Sequence, residues 1–188
     1  MTERSLTIRE ATAADVDVVM HHRRSMFADM GNRDPTALDA MDASSRPIFA
    51  RALADGTYRG WLAEDARGNV VAGGGIILLA YHSSPRDLDP RRAWIVNMYT
   101  EPGYRRQGLA RRLMERMIEW CRGQGMATVY LHASDEGRAL YDSLGFTPTN
   151  EMRLRLGGRP APPPPAPRAG PPSRPRKPAA PRPSGRRR

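Results

Sequence analysis

Six consecutive residues, Arg105-Arg106-Gln107-Gly108-Leu109-Ala110, have the types and spacing needed to hold an anion on backbone. Gly108 lacks the Cβ that would keep a phosphate away from the main chain, and Ala110 is nearly as small. A helix that starts here aims its first N–H groups outward, where no intrahelical acceptor reaches them, and that end favours negative charge. Arg105 and Arg106 add positive charge beside it. The chemistry this suits is a cradle for a pyrophosphate, provided the flanking chain puts a strand before the run and a helix after it.

The flanks meet that condition. Trp94-Ile95-Val96-Asn97-Met98-Tyr99-Thr100 is β-branched and aromatic, as a buried strand is, and Glu101-Pro102-Gly103-Tyr104 supplies a turn. Leu109, Leu113, Met114, Met117, Ile118 and Cys121 then recur at helical spacing. Earlier in the chain, Leu6 to Arg9 alternates like a short edge strand. Thr12 with Asp15 three residues on marks a helix start, followed by Val16, Val19, Met20, Met26, Phe27 and Met30, with Gly31 to close it. Asp34-Pro35 opens a second helical stretch that the sequence predicts to break near Ser45-Arg46-Pro47 and to resume through Ile48, Phe49, Ala52 and Leu53. Tyr58–Glu64 and Val70–Tyr81 flank a hairpin turn at Ala66-Arg67-Gly68-Asn69, and Gly73-Gly74-Gly75 predicts a bulge or a close backbone approach. His82 to Arg92 reads as a loop, Met126–Ala133 as a strand, Glu136–Leu144 as a short helix and Phe146–Leu156 as closing strand material.

The pattern Arg105-x-x-Gly108-x-Ala110 after a strand resembles the acyl-CoA-binding motif of the GNAT acetyltransferases. A second block at the distance that family shows, Ser134-Asp135-Glu136-Gly137-Arg138-Ala139-Leu140-Tyr141-Asp142-Ser143-Leu144-Gly145-Phe146, resembles its later helix, which carries a Tyr and ends in Leu-Gly-Phe. The resemblance spans Leu6 to Leu156. It implies an α/β (mixed α+β) fold with a mostly antiparallel sheet flanked by helices, whose central strands splay apart to admit the pantetheine arm. It also implies an acetyl-CoA-dependent N-acetyltransferase in which an amine attacks directly within a ternary complex.

Site roles follow from the same resemblance. Arg105, Arg106, Gln107, Gly108, Leu109 and Ala110 are expected to hold the pyrophosphate, with the backbone of Met98, Tyr99 and Thr100 facing the thioester and pantetheine. Tyr141 is expected to protonate the departing thiolate; a phenol with a pKa near 10 keeps its proton at neutral pH. Ser134 stands where the family often has a cofactor-contacting Asn, and is shorter. Met26 and Met30 are expected to wall the acceptor side. Two readings stand for Asn97, a satisfied buried amide or a residue that orients the acceptor. Glu64, Asp65, His82, Glu101 and His132 are all candidates for the general base, and no spacing selects one.

Composition bounds the rest. The net charge of +10 belongs almost wholly to residues 157–188, which hold 12 of the 18 prolines, nine basic residues and no acid; the remainder has 21 basic against 20 acidic residues. Such a tail cannot bury enough surface to offset its ordering entropy, and is expected to be disordered and basic. It would bind polyanions only non-specifically, having no aromatic residue to stack on bases. The expected organisation is an acetyltransferase domain over 1–156 and a tail over 157–188. Cys121 is the one cysteine, so no intrachain disulfide forms, and a cytoplasmic location is expected. The longest apolar run, 73–81, is well short of the ~20 residues a membrane helix needs. Adjacent His21 and His22 diverge by about 100° on a helix and share no metal, so none is expected. The acceptor is a small-molecule or peptide amine of unspecified identity. Competing classes are a non-catalytic acyl-CoA-binding sensor and a polyanion-binding protein acting through its tail.

Overall fold

The computed structural model describes residues 6–85, 87–154 and 156. The predicted tail, 157–188, lies outside them. The described residues divide into two units, 6–147 and 148–156. The first holds every helix and strand.

Its sheet has five strands in spatial order β1-β2-β3-β4-β5: Thr7–Glu10, Tyr58–Glu64, Val70–Ala80, Arg91–Thr100 and Val129–Leu131. The first four pair antiparallel and β5 joins β4 in parallel. A parallel neighbour needs a crossover, which α3 (Leu109–Gly123) supplies. Its face of Leu109, Leu113, Met114, Met117 and Cys121 is buried against Trp61, Ala72, Ile76, Ala93 and Ile95 on one side of the sheet. On the other side α1 (Val16–Asp29) and α2 (Pro35–Asp55) pack Val19, Met20, Phe49 and Ala52 on Tyr58, Ile77 and Val96. α4 (Asp135–Ser143) follows β5.

Local chemistry explains the helix starts. Thr12 and Asp15 form a reciprocal capping box ahead of α1, through a 3-10 turn at Ala13–Asp15. Arg9 donates to Asp15, and this bond holds the carboxyl down at about 2. Asp34 caps α2 with Pro35 in its first turn. The predicted break at Pro47 is absent: α2 runs unbroken from Pro35 to Asp55. Leu38 before the proline and Phe49 and Ala52 after it are all buried, so packing holds the two halves as one helix against the lost hydrogen bond.

The Gly73-Gly74-Gly75 run is both a register break and a close approach. Gly73 faces Tyr99 and Gly75 faces Val96, so one residue of β3 opposes two of β4, a β-bulge. A Cβ on Gly73 would meet His22 Nδ1 at 2.7 Å, on Gly74 Met98 Sδ at 2.3 Å, and on Gly75 the Tyr58 ring at 2.4 Å. Tyr58 cannot yield easily, being 2% exposed and edge-on to Phe49 at 5.0 Å. Gly75→Ala should therefore destabilise by about 1–3 kcal/mol through overpacking. Gly123→Ala, where a Cβ meets nothing within 4 Å, is the matched control. Equal urea midpoints for the two variants would refute the crowding argument.

Two strand expectations are corrected. The strand expected over Met126–Ala133 is only Val129–Leu131, because pairing with β4 stops at Leu131 and Met126 is buried in the preceding turn. The closing strand expected over Phe146–Leu156 is not formed among the described residues. Pro148 has no N–H to donate, and the Glu151 N–H turns back to Thr149 Oγ1 at 3.4 Å.

Candidate active site

The sheet opens between β4 and β5. Their pairing covers only Ala93–Ile95 against Val129–Leu131, while β4 continues to Thr100. The opening begins at the bulge, where Asn97 adopts φ 58°. Asparagine is among the few residues that tolerate this left-handed conformation. The extra residue also resets which way side chains face. Ala93, Ile95 and Met98 join the α3 core, whereas Val96 packs on the α1–α2 side with Asn97 and Tyr99.

Beyond Thr100 the chain makes a 3-10 turn, Pro102–Tyr104, and then two left-handed residues, Arg106 at φ 63° and Gly108 at φ 78°. No side chain caps α3. Its first helical bond runs from the Arg112 N–H to the Gly108 carbonyl at 3.1 Å, so the N–H groups of Leu109, Ala110 and Arg111 precede any helical acceptor. A Cβ on Gly108 would meet nothing within 4 Å, which leaves open space at that end. The turn is fixed from behind. Arg105 donates from Nε to the Thr100 carbonyl at 2.9 Å and pairs with Asp29 of α1 at 2.5 Å. Tyr104 OH donates to Asp65 at 2.8 Å, Asp65 being anchored in the β2–β3 turn.

A polar layer joins α1 to β4. His21 Nε2 lies 2.8 Å from Glu101 Oε1, and Tyr99 OH donates to Glu101 Oε2 at 3.2 Å. Arg23 Nη1 donates to Asn97 Oδ1 at 3.0 Å, with its guanidinium over the Phe27 and Phe49 rings. His22 is 2% exposed against Gly73 and Tyr99, and burial, then the neighbouring His21, lowers its pKa to about 4. The unfolded imidazole titrates near 6.5. As pH falls from about 6.5 to about 4 the unfolded chain takes a proton that the native state refuses, so stability drops by up to about 3 kcal/mol. Thermal melts between pH 7.5 and 4.5 should show this slope, and His22→Gln should flatten it. An unchanged slope in the variant would assign the effect to other groups.

The sequence model of the acetyltransferase (GNAT) family matches residues 21–146. The chain belongs to the GNAT family. A GCN5-related N-acetyltransferase structure from Ralstonia eutropha shares 33% identity at a TM-score of 0.76, covering 82% of this chain and 100% of that one. A predicted acetyltransferase from Clostridium acetobutylicum, solved with acetyl-CoA, shares 25% identity at 0.74, covering 81% and 97%. The ribosomal protein bS18-alanine N-acetyltransferase of Escherichia coli is 39% identical over 66 residues, which span 34% of this chain and 43% of that enzyme.

Within this GNAT domain the expected residues fall into distinct roles. Leu109 is 2% exposed in the core, so only its N–H is left at the uncapped end of α3. The Arg105 charge is already matched by Asp29, while Arg106 is exposed. Gln107 Nε2 donates to the Gly103 carbonyl at 3.3 Å and braces the turn. Ser134 caps α4, accepting from the Gly137 N–H at 3.2 Å. Met26 and Met30 lie near the end of α1, Met26 partly exposed and Met30 51% exposed. Asn97 is 3% exposed; its Oδ1 accepts from Arg23, while its Nδ2 is buried without a hydrogen-bond partner, so the amide is only half satisfied. Tyr141 packs on Phe146 and over Gly137, where a Cβ would come within 2.6 Å of its ring. Burial raises its pKa, which keeps the phenol protonated.

Three of the five candidate bases are hydrogen-bonded to neighbours, and the two histidines among them, His82 and His132, each lie against an aromatic ring. Glu64 accepts from Arg9 at 2.6 Å, Asp65 holds the β2–β3 turn and Tyr104, Glu101 faces His21 and Tyr99, and His82 lies on Tyr81 at 4.3 Å. His132 is exposed one residue beyond the last β4–β5 pair, beside Trp94 at 4.9 Å. Arg23, which contacts Asn97, was not singled out by the sequence reading. Its signal was an arginine three residues after Met20 and four before Phe27, on the inward stripe of α1. Among the described residues no group of three or more His, Cys, Asp or Glu is placed to hold a metal, and no helix is long and apolar enough to cross a membrane.

Proposed function

We propose that this GNAT protein is an acetyl-CoA-dependent N-acetyltransferase that passes the acetyl group directly to an amine acceptor in a ternary complex. The observation that carries it is the coincidence of an opening between β4 and β5 with an uncapped α3 N-terminus at the end of the same strand. Acetyl-CoA supplies a thioester carbonyl to which the amine nitrogen forms a C–N bond as the C–S bond breaks. The N–H groups of Leu109, Ala110 and Arg111 hold the pyrophosphate, and Gly108 lets it approach. A β4 N–H within Met98–Thr100 faces the developing oxyanion. His132, at the mouth of the opening, takes the proton lost by the amine, and Tyr141 gives one to the thiolate.

The acceptor is a small-molecule or peptide amine. The E. coli relative, whose name specifies an alanine of a ribosomal protein, supports the peptide arm of that choice. We place the reaction in the cytoplasm, where the lone Cys121 stays reduced. The proposed organisation is a catalytic domain over 1–156, with the basic tail outside the chemistry and touching nucleic acid only non-specifically. Calorimetric titration of acetyl-CoA, followed by initial-rate kinetics on an amine panel, tests the proposal. Micromolar binding and intersecting double-reciprocal lines are expected. Absence of binding to folded, CoA-free protein, or parallel lines signalling a covalent acetyl-enzyme, would overturn it.

A further inference from the structure

Arg23 is a half-buried cation with no carboxylate of its own among the described residues. Its Nη1 bonds a neutral amide, Asn97 Oδ1, and two aromatic rings, Phe27 and Phe49, flank it at 5.0 and 5.5 Å. Its Nε is buried without a hydrogen-bond partner. The nearby acid, Asp42, bonds Arg24 at 2.6 Å, and Arg24 also pairs with Asp39. Asp42 Oδ1 is itself buried and unpartnered, so the cation and the acid come near each other without closing an ion pair. A guanidinium carries five donors in a fixed fork, and here one of them has a partner. Leaving such a group partly buried and unpaired is costly, unless a ligand completes it.

Its position names the ligand. Asn97 is the bulge residue at which β4 leaves β5, and Arg23 reaches it from α1 on the side of the sheet packed by α1 and α2, which ties the guanidinium to the edge of the opening. Ser25, Met26, Phe27 and Ala28, the residues that follow it on α1, are all partly exposed, so this turn of the helix keeps contact with solvent. We propose that Arg23 binds a carboxylate on the acceptor, so that the amine to be acetylated belongs to an amino acid or a similar molecule bearing both groups a few bonds apart. A planar fork suits a carboxylate bidentately. The carboxylate on Arg23 and the amine at the opening would then fix the acceptor at two points. This rests on the acetyltransferase reading and narrows its acceptor class to the small-molecule arm, in place of the peptide arm that the E. coli relative supports.

The test separates the two. Protein saturated with CoA is titrated calorimetrically with the N-acetyl derivatives of the twenty standard amino acids and with their C-terminal amides, which lack the negative charge. At least one acid is expected to bind tenfold or more tightly than its own amide. Arg23→Gln should bring that ratio close to one, and Arg23→Lys should restore part of it. CoA affinity and melting temperature are recorded for each variant. No acid binding better than its amide, with CoA binding intact, overturns the carboxylate site and leaves the acetyltransferase standing. A ratio that survives in Arg23→Gln overturns it equally, and loss of acids and amides together would mark Arg23 as a structural brace only. Failure of the wild-type protein to bind CoA refutes the acetyltransferase reading itself.

Discussion

Gly108→Trp is expected to abolish acetyl-CoA binding in the micromolar range while the protein stays folded. Two features make the variant clean. Gly108 sits at φ 78°, so any side chain costs about 1–2 kcal/mol of backbone strain there. A Cβ meets nothing within 4 Å, so the side chain leaves the backbone without a clash at the N-terminus of α3. The strain is small beside the stability of a domain of this size, about 5–15 kcal/mol. The effect on binding is larger. Hydrogen bonds to a charged group contribute about 1.5–3 kcal/mol each, so denying a pyrophosphate two of the N–H groups of Leu109, Ala110 and Arg111 costs at least a hundredfold in affinity. Gly108→Ala carries the same strain without the bulk and should lose tenfold at most. If the tryptophan variant binds acetyl-CoA as wild type does, the pyrophosphate is held elsewhere.

The parts of the fold that were legible in the sequence are those set by local chemistry. Thr12 with Asp15, Asp34-Pro35 and the turn before Leu109 each mark a start that short-range hydrogen bonding dictates, and each appears. Gly73-Gly74-Gly75 was readable as a bulge or a close backbone approach, and it is both. The failures are tertiary. Pro47 would end an isolated helix, but buried residues on both sides of it keep α2 whole. The extent of β5 depends on where β4 stops pairing, and no residue of β5 encodes that. At the site, Gly108 announced itself through backbone freedom, whereas Arg23 takes its meaning from Asn97, 74 residues away. A charged residue on an apolar stripe is visible in sequence; what it is aimed at is not.

Tyr141→Phe is expected to lower kcat about a hundredfold and to leave the KM for acetyl-CoA within threefold. The size follows from the leaving group. General-acid assistance contributes about 10²–10⁴ in rate, and a thiol of pKa near 8.5 is already a competent leaving group, which puts the loss at the lower end. Burial raises the phenol's pKa, so the acid form persists through the neutral range and Tyr141 itself imposes no fall in kcat there. Loss of a hydroxyl can also disturb packing, and Gly137→Ala separates the two explanations. A methyl at Gly137 would lie 2.6 Å from the Tyr141 ring and push it aside, while alanine favours the helix by about 0.5–1 kcal/mol over glycine. Activity should therefore fall in Gly137→Ala without a matching fall in melting temperature. Should both variants keep wild-type kcat across pH 6–9, the thiolate takes its proton from water and Tyr141 is only a packing residue of α4.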